Sequence, residues 1–157
     1  MNTRPLSQLK PDEGGIILRV GGSGEIRRRL LDMGVVAGSE VSVERVAPLG
    51  DPVQIRVKGY DLALRKTEAE KITVDMTTGP LTGMEGGESV MVTAVRAGWG
   101  LQRRLGDMGI TPGTIVKVVS GGTTGQTVVE VKGSRLALGH GVTEKIIVKK
   151  VPGEANA

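Results

Sequence analysis

The stretch Arg28-Arg29-Leu30-Leu31-Asp32-Met33-Gly34 returns as Arg103-Arg104-Leu105-Gly106-Asp107-Met108-Gly109, residue 103 following residue 28 by 75 positions. Each copy reads as the end of a short amphipathic helix. Ile26, Leu30 and Met33 fall at i, i+4 and i+7, and Leu101, Leu105 and Met108 repeat that face. Gly34 and Gly109 stand where a helix stops. Ser23 is placed to cap the first helix, and Glu25 suits its positive end. Arg28 and Asp32, and likewise Arg103 and Asp107, are one turn apart and can pair weakly.

The identity extends outward in both directions. Pro5-Leu6 matches Pro80-Leu81, Val57-Lys58-Gly59 matches Val131-Lys132-Gly133, Leu62-Ala63-Leu64 matches Leu136-Ala137-Leu138, and Glu70-Lys71-Ile72 matches Glu144-Lys145-Ile146. The later matches are offset by 74 (57 to 131), so one residue is lost from a loop between Val43 and Val57. About a third of the aligned positions are identical. A period this long is not that of a solenoid, and the chain reads as two copies of one small domain. The expected domains are 1–76 and a divergent second copy at 77–151, followed by a flexible tail at 152–157. Asp75-Met76-Thr77-Thr78-Gly79 is expected as the short join.

Around the helix the apolar period is two. Gly14–Val20 and Ser89–Val95 read as first strands; Val41 and Val43, then Val53, Ile55 and Val57, then Leu62 and Leu64, then Ile72 and Val74 continue the pattern. Five short strands and one helix in so few residues close into a strongly twisted barrel. The predicted fold class is mainly β: two tandem SH3-like small barrels, each with one short helix after its first strand.

Composition removes several classes of chemistry. Cys is absent and His140 is the one His, so thiolate sites, disulfides and multi-histidine centres are excluded. Gly21-Gly22-Ser23-Gly24 lacks the lysine of a phosphate loop and reads as a turn with an N-cap. No nucleophile–base set is visible, so an enzyme is not expected. No apolar run approaches the roughly 18 residues of a membrane span, and no secretory leader is seen at the start. The formal net charge of +4 is modest, and Tyr60 and Trp99 are the only aromatics, so nucleic acid is not the expected ligand.

The first copy resembles the FeoA domain, a small SH3-like accessory of bacterial ferrous-iron uptake. The resemblance rests on Leu9-Lys10-Pro11, on Arg29–Gly38, on Ala47-Pro48-Leu49-Gly50-Asp51-Pro52 and on Gly59–Ile72, in the family's order. The second copy keeps Arg104–Gly113 and the Gly133…Leu138 strand. It has Gly121–Gln126 in place of the Pro-bearing loop, and Gly139-His140 in place of Arg65-Lys66. The same domain also ends iron-dependent repressors, but this sequence leaves no room for their helix-turn-helix. The resemblance implies a cytoplasmic accessory whose partner is a membrane ferrous-iron permease with a cytoplasmic GTPase domain, FeoB-like.

Candidate residues follow from chemistry and position. Pro48 and Pro52 stiffen a turn with Leu49 near its tip. Leu49 is either an outward partner anchor or a cap folded back over the barrel end. Arg65 and Lys66 are placed at the edge of the same surface. Trp99, between glycines before the second helix, is a second anchor or a plug between the barrels. Asp32, Met33, Asp107 and Met108 offer carboxylate and thioether to a transition metal such as Fe(2+), and His140 offers an imidazole. A structural role is favoured for the two Asp-Met pairs, because hard ferrous sites want several N/O ligands, and His140 is expected as a lone surface imidazole. The leading expectation is a non-enzymatic adaptor that binds and modulates the permease. The alternatives are a transition-metal-binding or iron-sensing protein and, further behind, a nucleic-acid-binding barrel. A monomer whose two domains pair internally is the expected form.

Overall fold

The computed structural model of the chain describes residues 2–121 and 125–151. It forms two compact units that meet between Thr77 and Thr78. The expected flexible tail at 152–157 lies outside the described residues.

In the first unit, β1 (Thr3–Pro5) leads through a 3-10 turn at Leu6–Gln8 to β2 (Gly14–Val20), α1 (Gly24–Asp32), β3 (Glu40–Val46), β4 (Val53–Val57) and β5 (Tyr60–Leu64). A one-turn helix, α2 (Lys66–Ala69), and β6 (Ile72–Pro80) complete it. The strand order is β6-β2-β3-β4-β5, with β1 also on β6 and β5 at the end of the path. A register shift between Val43 and Arg45 bends β3. That bend and the shortness of the strands curl the sheet around one aliphatic core. Leu6, Ile17, Leu30, Val35, Ile55, Leu64 and Ile72 in this core are all within 1% of complete burial.

The second unit repeats the plan with β7 (Ser89–Val95), α3 (Trp99–Asp107), β8 (Ile115–Ser120), β9 (Thr127–Val131), β10 (Ser134–Leu138), α4 (His140–Thr143) and β11 (Ile146–Lys150). Its order is β11-β7-β8-β9-β10, and β8 carries the equivalent register shift between Val118 and Ser120. Leu81, Leu105, Ile110, Val118, Val129 and Ile146 belong to its own separate core. The fold is thus mainly β, two SH3-like small barrels.

The residues expected as a join are strand instead. Thr73–Asp75 pair with β1 in the first unit, and Thr78–Pro80 pair with β11 in the second. Thr78 stands 75 positions after Thr3, so the last strand of one copy runs directly into the first strand of the next, with β-branched Thr77 and Thr78 suiting extended backbone. A further difference is the one-turn helix after β5 and β10. Four residues are too few to show a helical period.

The helix ends agree with the sequence pattern. Gly34 and Gly109 both have φ of 90°, the left-handed stop. Ser23 occupies the N-cap of α1, but its side chain makes no capping bond, and Arg27 Nε instead donates to the Val20 carbonyl at 3.1 Å. Among the described residues no ion pair joins Arg28 to Asp32 or Arg103 to Asp107. These side chains are exposed, where such pairs gain little.

Thr127 is 1% exposed, and its hydroxyl has no hydrogen-bond partner among the described residues. Val53 holds the equivalent place in the first unit, 74 positions earlier, where it is 2% exposed. Thr127→Val removes an unpaired buried hydroxyl and keeps the shape. It is expected to stabilise the second unit by about 1 kcal/mol, read as a higher urea midpoint at unchanged slope.

Candidate functional site

The loop between β3 and β4 carries the most distinctive surface of the first unit. Its base is closed by the Ala47 amide donating to the Pro52 carbonyl at 3.1 Å, and its tip by the Gly50 amide donating to the Ala47 carbonyl at 2.7 Å. Gly50 takes φ of 86°, which the turn requires. Leu49 sits at that tip with 94% of its surface exposed, so it is held outward and does not cap the barrel. Pro48 and Pro52 beside it are exposed too.

Lys66 reaches the same place, and Arg65 precedes it at the N-cap of α2. The Lys66 amide donates to Asp51 Oδ1 at 3.1 Å, tying the loop to the start of α2. That helix is held by Glu68, 4% exposed, whose Oε1 accepts from the Arg65 amide at 2.9 Å. Its Oε2 lies 3.0 Å from Arg29 Nη1 on α1. A chain of contacts therefore runs from Arg29 through Glu68 and α2 to Asp51 and the Leu49 turn. The sequence marks the Pro48–Pro52 turn and Arg65-Lys66, but not the Arg29–Glu68 ion pair or the Lys66–Asp51 bond that joins them. The spacing of Glu68, three residues after Arg65, is that of a helix-start carboxylate and was the available signal.

The second unit lacks the device. Val142 replaces Glu68 and Gly139-His140 replaces Arg65-Lys66. Its α4 is fastened by Thr143, whose hydroxyl accepts from Thr82 at 3.1 Å and donates to the His140 carbonyl at 3.2 Å. The loop replacing the Pro-bearing turn, Gly121–Gln126, falls partly outside the described residues. Trp99, first residue of α3, is 77% exposed and fills no apolar interior.

The five residues weighed as metal ligands are scattered. Asp32 and Met33 are adjacent at the end of α1, and Met33 packs partly on the core. Asp107 is exposed, and Met108 is 43% exposed, so the second Met does not complete a buried helix face. His140 Nε2 lies 3.5 Å from Glu144 Oε1, one turn along. Among the described residues no three of His, Cys, Asp and Glu come together as a metal would need. Nor is any helix among them long and apolar enough to cross a membrane.

These features define a tandem of small SH3-like barrels whose distinctive chemistry lies on an outward loop. The FeoA domain pattern matches twice, over residues 4–76 and 79–150, and the chain belongs to the FeoA domain family. A relative from Methanocaldococcus jannaschii bearing the Fe(2+) transport protein A name is 39% identical over 70 residues, 45% of this chain and 84% of its own. An Fe(2+) transport protein A/Fe(2+) transporter FeoB fusion protein of Porphyromonas gingivalis is 40% identical over 77 residues. The match covers 49% of this chain and only 9% of that much longer protein. The solution structure of iron(II) transport protein A from Clostridium thermocellum is also similar, at 31% identity and a TM-score of 0.50. That likeness covers 98% of this chain and 91% of the other. Relatives in the family are thus named as ferrous-iron transport proteins.

Proposed function

We propose that this chain is a non-enzymatic accessory of ferrous-iron transport, acting on the cytoplasmic side of the membrane. Its first barrel docks on an FeoB-like transporter through the Leu49 loop and modulates the transporter's assembly or its GTPase module. The observation that carries this reading is the Leu49 turn. An apolar side chain 94% exposed, on a turn fastened at its base, its tip and to α2, is a preformed anchor. The fusion relative supports the choice of partner, because there a domain similar to this one and the transporter share one polypeptide. Ferrous iron is then the cargo of the partner.

The test is binding of the full chain and of Leu49→Asp to the transporter's cytoplasmic region. The substitution is exposed and is expected to leave circular dichroism unchanged. Affinity is expected to fall about thirtyfold, the effect of losing one anchor worth about 2 kcal/mol. An affinity equal to the parent's removes Leu49 from the site.

A further inference from the structure

Among the described residues each unit ends its sheet in a strand with one open edge, β5 in the first and β10 in the second. Both strands are built alike. A two-residue turn, Lys58-Gly59 or Lys132-Gly133, has positive φ at both positions, 51° and 80° in one and 50° and 83° in the other. Such a turn makes the closing pair, Val57 with Tyr60 or Val131 with Ser134, a hydrogen-bonded one. The amides and carbonyls of residues 61 and 63, and of 135 and 137, therefore point away from the sheet. Asp61, Ala63, Arg135 and Ala137 are all exposed, and among the described residues no further strand pairs with this side of β5 or β10. A free edge of this kind is a template for a further strand.

Charge selects the strand. If β5 paired antiparallel with another β5, centred on Leu62, Asp61 of one molecule would lie diagonal to Asp61 of the other on the same face. Two β10 strands would bring Arg135 against Arg135. When β5 of one molecule pairs with β10 of another, Asp61 faces Ala137, Arg135 faces Ala63, and Asp61 and Arg135 become diagonal neighbours of opposite sign. Long side chains reach across that diagonal. The cross-strand partners Lys117, Glu130 and Arg135 in one molecule would then be followed, one diagonal step on, by the partners Asp61 and Arg56 of the next, and the charges alternate in sign throughout. Asp61 and Arg56 already lie 3.5 Å apart within the first unit.

We infer that a second copy of this chain is the occupant of these edges, β5 of one molecule pairing antiparallel with β10 of the next. The contact is heterologous, so each molecule offers one edge of each kind. With four backbone hydrogen bonds at its centre it is weak, and the monomer prevails when the protein is dilute. The inference is independent of the docking loop.

Sedimentation of the full chain over a range of concentrations tests it. At low salt the average mass is expected to rise with concentration, and at about 0.5 M salt to rise less, because the diagonal pairs are exposed and screened. Ala63→Pro and Ala137→Pro each remove one outward amide and leave the internal ladder intact. Each variant alone is expected to stay monomeric, since each keeps only one kind of edge, while an equimolar mixture forms a one-to-one dimer. Asp61→Arg or Arg135→Asp is expected to weaken association about tenfold, and the double exchange Asp61→Arg/Arg135→Asp to restore it. The charge variants serve as the check should a proline variant lose its native circular dichroism. A parent that stays monomeric at millimolar concentration and low salt overturns the inference. So does self-association by either proline variant alone, or a double exchange that restores nothing.

Discussion

Gly15→Val is expected to unfold the first barrel and leave the second folded. Gly15 lies in β2, buried, opposite Val41 of β3. A Cβ placed on it would overlap the carbonyl oxygen of Asp75 and come within 2.7 Å of that carbonyl's carbon. These are backbone atoms of β6, which cannot yield without breaking the pairing that holds β6 beside β1 and β2. Overpacking of this kind costs about 3 kcal/mol or more, a large part of the stability of a domain of this size. In a two-dimensional amide spectrum, signals of residues 2–77 should collapse toward random-coil positions while those of 78–151 stay dispersed. Full dispersion of both sets would mean that β2 and β6 do not approach so closely.

Leu30→Ala and Leu105→Ala are expected to cause paired losses, each in its own unit. Both leucines are 0% exposed and come from equivalent positions of α1 and α3. Each is surrounded by Val, Ile and Leu from the strands of one core cluster, and the two clusters share no residue. With no Phe in the chain and its only Tyr and Trp exposed, no large ring is available to relax into the space. The cavity should persist, and each truncation should cost about 3 kcal/mol, within the usual range for a buried leucine. Hydrogen exchange resolved by residue checks this. Protection should fall about a hundredfold or more in the helix and strands of the altered unit. A loss below tenfold would show that the leucine does not fill a packed core.

Much of this fold was legible because duplication presents each pattern twice. Ile26, Leu30 and Met33 mark a helix face, and Leu101, Leu105 and its end glycine repeat it. The alternation of Val41, Val43, Ile55, Val57, Leu62 and Leu64 marks strands, and Lys-Gly marks their turns. What escaped was of two kinds. Elements of three or four residues, such as β1 and α2, are shorter than the window over which a period can be seen. Contacts between residues distant in sequence, such as Arg29 with Glu68 or Lys66 with Asp51, depend on how the strands place the loops, and no local pattern encodes them. Leu49 belongs to the second kind. Its neighbours predicted a stiff turn, but whether the side chain turned in or out awaited the fastening of that turn to α2. Met108 is the opposite case, since its repeat partner Met33 suggested burial and the second unit leaves it 43% exposed.

The strand Ile72–Pro80 bears on how the molecule can be cut. A break between Thr77 and Thr78 leaves each half with all of its own strand partners: Thr73–Asp75 for β1, and Thr78–Pro80 for β11. A break four residues later, after Leu81, would strip the second half of an outermost strand and a fully buried leucine, and would burden the first with a sticky apolar end. Gene fusions, tags and protease sites intended to separate the repeats therefore have a narrow window, and misplacing them by one turn of chain would mimic a loss of function.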